Sequence, residues 1–253
     1  MATGASVRVS TWAMARVFWR SLQLQAAWNP KGMQNLGFAY ALWPAFRELY
    51  PDKVAREAAL RRHLGTFNTH PYLAAAILGG VIHHEERVVR GEEAPELGVA
   101  FKQALMGPLA ALGDGFFWLS FRPAVGALAA LLAVWTGGWA AVFFAVVYNV
   151  VHLGLRARYL ALGYRLGDEV LGPVGRDQLA DRGMELRALA ACAAGAFLPA
   201  LAIQARHLGV DPRVAWAACL LGLPTILLLG RKVSVYALLY AAATLGLLLG
   251  WYV

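Results

Sequence analysis

Charged residues are scarce in this chain, and their scarcity argues against an ordinary soluble domain. Lys, Arg, Asp and Glu make up 15% of the 253 residues, whereas a soluble domain carries about a quarter. Four stretches contain none of them: 123–155, 188–205, 214–230 and 233–253. Each is near or above the roughly 20 residues that cross the hydrocarbon core of a bilayer. The sequence therefore predicts an integral membrane protein.

Residues typical of several other protein classes are also missing. The two cysteines, Cys192 and Cys219, lie in apolar stretches, so we expect packed thiols rather than a disulfide or metal ligands. No Ser–His–Asp order, phosphate-binding glycine loop or CxxC motif occurs, which disfavours an enzyme with catalytic residues of its own. We expect no cofactor and no metal. The net charge of +8 comes from arginines beside apolar stretches, a pattern typical of cytoplasmic loops rather than of nucleic-acid binding.

The apolar stretches predict an all-α fold, because a backbone that crosses a bilayer must satisfy its own hydrogen bonds. We expect several transmembrane helices, together with re-entrant or broken helices and interfacial amphipathic helices. Three regions follow along the chain. They are an N-terminal interfacial helix in 1–32, a core region with re-entrant segments and the candidate site motifs in 33–123, and a transmembrane helix region in 124–253.

Proline, glycine and capping residues divide these regions further. Asn29-Pro30-Lys31-Gly32 is predicted to end the first helix, and Pro51-Asp52-Lys53 to open a short charged helix over 54–63. Residues 67–82 are apolar but short, which favours a buried or re-entrant segment. Gly137-Gly138 permits a break within the long apolar stretch that precedes Arg156.

Two polar stretches are predicted to face water. His83-His84-Glu85-Glu86 looks superficially like a metal cluster, but adjacent helical residues point in different directions, so we expect a solvated helix end. The polar linker 85–95 follows it. The arginine-rich stretch 156–187 is predicted to be a hydrophilic cytoplasmic loop. Because Arg231-Lys232 is then also cytoplasmic, the loop at 206–213 and the C-terminus would face outwards.

One acid lies inside an apolar, glycine-punctuated segment and is the first candidate for function. Asp114 belongs to segment 106–118, in which the glycines and Pro108 argue against one smooth helix and for a broken or re-entrant one. A carboxylate in hydrocarbon is costly, so Asp114 should face a partner, a protein interior or a polar cavity. It could accept a hydrogen bond from a sugar hydroxyl, or pair with Arg122 or Lys102. The residues alone leave both alternatives open.

A second candidate is the polar turn Asn68-Thr69-His70-Pro71, which precedes an apolar stretch. Amide, hydroxyl and imidazole groups bind sugar hydroxyls, often beside an aromatic ring that covers the apolar face of the sugar. The same residue types are favoured at a helix N-cap, and this alternative also stays open. Asn149, inside the next long apolar stretch, is expected to hydrogen-bond a neighbouring helix.

Taken in order, these residues resemble the IID component of the mannose/fructose/sorbose family of sugar phosphotransferase systems. The resemblance covers about residues 33–165 and differs from the family pattern at Gly65 and at His70. The strongest matching piece runs from Leu105 to Ala110 and continues to Arg122-Pro123. The other pieces are Met33 to Phe38, Pro44 to Pro51, Arg61 to Leu64, Phe67 to Tyr72, Ile77 to Gly79, Glu85-Glu86, Asn149, Arg156 and Gly163-Tyr164.

The resemblance implies a multi-pass subunit of the bacterial cytoplasmic (inner) membrane. With a IIC subunit it would form the sugar translocation channel for phosphorylation-coupled hexose uptake, as a trimer of IIC–IID units in the lipid bilayer. Cytoplasmic IIA and IIB proteins would carry the phosphate on their own histidines. A diverged, non-transporting protein that docks phosphotransferase components is the alternative. The implied substrate-binding residues are Asn68, Thr69, His70, Asp114, Trp118 and Arg122.

Overall fold

The protein is described by a computed structural model that covers residues 8–207. Within that range every regular element is helical, which agrees with the predicted all-α fold. Two isolated bridges pair Met33 with Asn29 and with Phe67. The helices are α1 Thr11–Ser21, α2 Asn35–Leu49, α3 Lys53–Arg62, α4 Ala74–Val89, α5 Glu96–Gly113, a π-helical segment Asp114–Phe121, α6 Arg122–Thr136, α7 Trp139–Leu166, a 3₁₀ turn Gly167–Val170, α8 Leu171–Arg176 and α9 Leu179–His207.

The chain divides into two compact units. The first consists of residues up to 125 and 143–189, and it contains α1 to α5, the π-helical segment, α8 and most of α7. Of the second, the structure describes residues 126–142 and 190–207. The predicted apolar stretches 214–230 and 233–253, most of the 206–213 loop and Cys219 lie outside the described residues.

Local capping signals set the bounds of the N-terminal helices. Asp52 caps α3 by accepting a hydrogen bond from the backbone N–H of Ala55 at 2.8 Å, so the predicted short charged helix is confirmed. Ser10 caps α1 in the same way. The predicted break at 29–32 is also confirmed, since residues 28–34 form turns and bridges between α1 and α2. Trp12 and Trp19 of α1 are 70% and 63% exposed. The interfacial role of residues 1–32 stays a prediction.

Helix α4 lies in the core of the first unit, so the short apolar segment is buried rather than spanning on its own. Its residues from Ala74 to Ile82 are all buried. Two glycines allow the close approach of α4 and α7, because a Cβ atom at Gly79 or at Gly163 would overlap the backbone of the other helix. Without these glycines the two backbones would have to separate.

Two helical stretches are long and apolar enough to cross a membrane: Glu96–Thr136 and Trp139–Gln204. They are separated at the predicted Gly137-Gly138 break, where Gly137 adopts a left-handed φ of +56°. The predicted irregularity of segment 106–118 does not lie at Pro108, which is inside α5. The irregularity instead lies one to two turns later, in the π-helical segment that contains Asp114.

The two stretches predicted to face water differ from the prediction in different ways. The predicted solvated helix end is wrong, because His84, Glu85 and Glu86 are all buried within α4. The predicted loop 156–187 is also wrong, because α7 continues to Leu166 and is followed by short helices and α9. Arg156 is buried, with its guanidinium donating to Ser21 Oγ and to the Pro71 carbonyl. The acids of α4 and Arg156 therefore find partners inside the fold, whereas most charged residues of 156–187, such as Arg165, Arg176 and Asp181, are exposed.

Candidate functional site

The polar turn at residues 68–70 is fixed to the start of α2 by one amide side chain. Gln34 Nε2 donates to the Thr69 carbonyl at 2.8 Å, and the Thr69 N–H donates to Gln34 Oε1 at 3.0 Å. The backbone N–H of Gln34 also donates to the Phe67 carbonyl at 2.8 Å. Since Gln34 is buried, these bonds are shielded from water and hold the turn in one position.

The N-cap interpretation of this turn is wrong. Helix α4 begins at Ala74, three residues after Pro71, and its capping residue Leu73 makes no side-chain hydrogen bond. His70 takes over part of the capping role, because its carbonyl accepts from the Ala74 N–H at 3.0 Å and its Nδ1 accepts from the Tyr72 N–H at 3.3 Å. The side chains of Asn68 and Thr69 are therefore not used to start the helix.

His70 joins the turn to the π-helical segment. Its ring is 1% exposed and stacks on Phe117, with centroids 5.0 Å apart and an interplanar angle of 10°. The rings of Trp118 and Tyr72 lie 4.9 Å from it. Gly113 makes this contact possible, because a Cβ atom there would overlap the His70 imidazole. Two of the predicted site residues, His70 and Trp118, are thus in direct contact.

Burial controls the charge of His70. Desolvation, followed by the positive charge of Arg156, lowers the pKa of His70 to about 3, so the ring is neutral at physiological pH. Because Nδ1 accepts a hydrogen bond from the Tyr72 N–H, the proton of the neutral ring belongs on Nε2. Among the described residues, that Nε2 and the buried Thr69 Oγ1 have no hydrogen-bond partner.

The other three predicted residues are exposed: Asn68, Asp114 and Arg122. Within residues 8–207 no salt bridge joins Asp114 to Arg122 or to Lys102, so the ion-pair alternative is not realised there. Lys102 is buried and donates to the His63 carbonyl at 3.0 Å. The Arg122 guanidinium lies 5.9 Å from the centre of the Trp118 ring. Asp114 is therefore an exposed acid that forms no salt bridge with a described residue.

A cavity of about 420 Å³ is lined by Pro71 and Tyr72, directly after the turn. Asn149 lines this cavity, and it bonds within α7 rather than to a neighbouring helix as predicted. Its Nδ2 donates to the Ala145 carbonyl at 2.7 Å, and its Oδ1 lies 3.0 Å from His152 Nε2. An amide on a helix can bond back to the preceding turn, and this local bond replaces the expected contact between helices.

A buried acid cluster, which the sequence reasoning assigned to solvent, stabilises the core around α4. Glu85 Oε2 accepts from Tyr50 Oη and Arg62 Nη2, both at 2.6 Å. Glu85 Oε1 lies 2.7 Å from His63 Nε2 and accepts from Arg62 Nε at 3.1 Å. Burial would raise the pKa of Glu85, but hydrogen bonds from His63, Arg62 and Tyr50 outweigh it and lower that pKa. The signal in the sequence was the pair Arg62-His63, because a buried acid needs basic partners of this kind.

The described residues contain no group of three or more His, Cys, Asp or Glu side chains that could hold a metal ion. The chemistry available at the turn and the π-helical segment is therefore hydrogen bonding and aromatic contact. Neutral amide, hydroxyl and imidazole groups lie beside stacked rings, with one carboxylate on the exposed side. Such a set of groups suits an uncharged polyhydroxyl ligand.

Comparison with known proteins identifies the family. The model of the mannose/fructose/sorbose family IID component of phosphotransferase systems matches residues 8–200. The mannose-specific EIID component of Escherichia coli strain K12 is 40% identical over 161 residues, which cover 63% of this chain and 57% of that protein. The fructose permease IID component of Bacillus subtilis is 35% identical over 156 residues, covering 61% of this chain and 57% of that protein. The matched part thus spans little more than half the length of these relatives.

Two solved structures share the fold. One, described as a membrane protein, matches with a TM-score of 0.72 and the other, the mannose transporter ManYZ in complex with microcin E492, with a TM-score of 0.62. Each is 29% identical and covers 95% of this chain and 96% of the solved chain. The predicted class of all-α integral membrane protein is confirmed. The chain belongs to the IID component family of mannose/fructose/sorbose phosphotransferase systems.

Proposed function

We propose that this chain is a IID membrane subunit which forms, with a IIC subunit, the sugar translocation channel for phosphorylation-coupled hexose uptake. The observation that carries the proposal is the family match over residues 8–200, a range that includes every candidate site residue. In this proposal the protein is a multi-pass component of the bacterial cytoplasmic (inner) membrane. Trimers of IIC–IID units are the functional assembly, and IIA and IIB supply the phosphate.

The arrangement around His70 supports a role in holding sugar. Asn68 and Asp114 are exposed and would accept or donate hydrogen bonds to sugar hydroxyls, with the carboxylate acting as acceptor only. Trp118, half-buried beside His70, offers a ring for the apolar face of a sugar. The buried Thr69 hydroxyl lies in the turn at residues 68–70, and the exposed Arg122 directly follows the π-helical segment. A IIC subunit would close this open face and complete the site.

The Gln34 hydrogen bonds imply how the site would move. Because the turn is bonded through Gln34 to the start of α2, it moves with the helical core rather than as a loose loop. Alternating access would then arise from rigid displacement of this core against the partner subunit. Once phosphorylated in the cytoplasm, the sugar carries charge and cannot return through an apolar lining. Uptake is thereby made one-directional.

Replacement of Asp114 by Asn tests the site. In cells that lack their own mannose-type transporter and express this chain with its IIC, IIA and IIB partners, we expect Asp114→Asn to abolish uptake of labelled hexose. The reason is that a carboxylate accepts charge-assisted bonds about twice as strong as those of an amide. The matched control is Asp181→Asn, which changes another exposed acid at the start of α9. Normal uptake by Asp114→Asn, at unchanged membrane abundance, would contradict the assignment.

Purification from native membranes separates transport from the alternative docking role. An affinity-tagged chain is purified, and hexose binding to the recovered complex is measured by calorimetry. Recovery of a IIC subunit with saturable hexose binding supports the transporter proposal. Recovery of soluble phosphocarrier proteins without sugar binding would favour a non-transporting protein that docks phosphotransferase components.

A further inference from the structure

An apolar groove lies between α1 and the C-terminal part of α7, within the first unit. Its volume is about 390 Å³. One end of the groove is formed by Tyr164 and Arg165, near the last turn of α7. The rest of the lining is mostly apolar and includes Val9, Met14, Phe18, Ala157, Leu160 and Ala161.

A smaller polar pocket of about 230 Å³ adjoins this groove. The two cavities share Tyr164 and Arg165, so they lie next to each other at the C-terminal end of α7. The pocket adds one acid and three basic or titratable residues to the lining, namely Glu86, Arg8, His83 and Arg90. An apolar groove next to a pocket lined by arginines matches an amphiphile with an anionic head.

The acid in the pocket is already satisfied by the protein. Glu86 Oε1 accepts from the Val9 N–H at 2.7 Å and from Tyr164 Oη at 2.6 Å, and its Oε2 lies 3.7 Å from Arg90. Arg90 also pairs with Glu92 at 2.7 Å. These acids offset the charge of Arg90.

Two positive charges remain in the same pocket. Arg8 and Arg165 form no salt bridge with any described residue, and both are exposed. Arginine binds phosphate oxygens through two parallel N–H donors, and it is enriched where a membrane helix meets anionic headgroups. Arg165 has that position, because it lies in the last turn of α7, beyond the apolar part of the helix.

We propose that the groove and the pocket together bind one anionic phospholipid. An acyl chain lies against Phe18 and Leu160, and the phosphate is held by Arg8 and Arg165. Lipid bound in this way joins α1 to α7, because its chain contacts residues of both helices. The proposal concerns a surface separate from the turn at residues 68–70, so it stands or falls independently of sugar transport.

The test compares lipid retention by native mass spectrometry of the full chain, purified together with its IIC subunit. The complex is taken from nanodiscs of phosphatidylglycerol or of phosphatidylcholine. We expect the complex to retain phosphatidylglycerol and little phosphatidylcholine. Free inorganic phosphate should not take the place of the lipid. Arg165→Gln should weaken phosphatidylglycerol retention about fivefold, since one basic residue near the surface contributes about 1 kcal/mol. The matched control Arg176→Gln, at another exposed arginine, should leave retention unchanged.

A second variant removes the groove while keeping both charges. Ala161→Trp fills the apolar part from the exposed side of α7 and should displace the acyl chain while the complex still assembles. Equal retention of the two lipids, or equal effects of Arg165→Gln and Arg176→Gln, would overturn the proposal. Binding by the chain alone but not by the complex would also overturn it, because the IIC subunit would then cover the groove.

Discussion

Replacing Glu85 by Gln should destabilise the first unit more than any exposed charge substitution. The carboxylate is 0% exposed and receives four donors, two on each oxygen, from Tyr50, Arg62 and His63. In glutamine one of the two terminal atoms becomes an NH₂ group. Whichever way the amide is turned, that group meets an Arg62 N–H that cannot accept a hydrogen bond, and Tyr50 or His63 would have to change from donor to acceptor.

The magnitude follows from the lost contacts. Two hydrogen bonds to a charged acceptor contribute about 1.5–3 kcal/mol each, so the loss is about 3–6 kcal/mol. Breaking a buried ion pair by removing one partner costs about 3–5 kcal/mol, which agrees. The Arg62 guanidinium, whose side chain is only partly exposed, would be left without its carboxylate. For a chain of this size, each kcal/mol corresponds to about 2–4 °C, so Tm should fall by at least about 6 °C.

The assay is the thermal unfolding of purified protein in one detergent, scanned at one rate because unfolding of membrane proteins is often irreversible. Glu92→Gln is the matched control, since Glu92 is an exposed acid whose pair with Arg90 lies at the surface, where water screens it and it adds little to stability. A Glu85→Gln variant that unfolds within about 2 °C of Glu92→Gln would refute the reasoning. The cluster would then be an incidental contact rather than a source of stability.

Two further predictions concern the contact between the turn and the π-helical segment. Gly113→Ala places a methyl group against the His70 ring and should lower stability by about 1–3 kcal/mol. Gly107→Ala, which meets open space, should not, and equal Tm values would contradict the contact. The second concerns pH. The pKa of His70 is about 3 in the folded protein against 6.5 in an unfolded chain. Between these values the unfolded state binds more protons, so the free energy of unfolding decreases as the pH is lowered. Between pH 6.5 and 5.0 this loss is about 2 kcal/mol, and His70→Gln should remove it from the thermal profile, whereas an unchanged slope would refute a buried neutral ring.

Features that depend on neighbouring residues were predictable from the sequence. Asp52 caps α3, the 29–32 stretch separates α1 from α2, and Gly137 turns the chain between α6 and α7. Each effect arises within a few residues, so its signal is present in a short window of sequence. The family resemblance had the same basis, because it rested on local pieces that recur in order.

Features that depend on distant partners were not predictable in this way. Glu85 meets His63 at a sequence separation of 22, and Glu86 meets Val9 at a separation of 77. Read alone, His83 to Glu86 is a polar group at the end of an apolar run, and such groups usually face water. Only the packing of α4 against α2, α5 and α7 brings the partners that make burial favourable. Arg156 was assigned to a loop for the same reason.

The contrast between two acids bears on where the partner subunit lies. Glu85 is buried and fully compensated, whereas Asp114 lies exposed in an apolar helical stretch and forms no salt bridge with a described residue. Because a carboxylate facing hydrocarbon is costly, we expect Asp114 to face a polar surface of the partner subunit. Stability and function should therefore respond in opposite ways. Glu85→Gln lowers the Tm of the isolated chain, while Asp114→Asn leaves it unchanged or raises it and still abolishes uptake. If Asp114→Asn destabilised the chain as strongly as Glu85→Gln, the role of Asp114 would be structural.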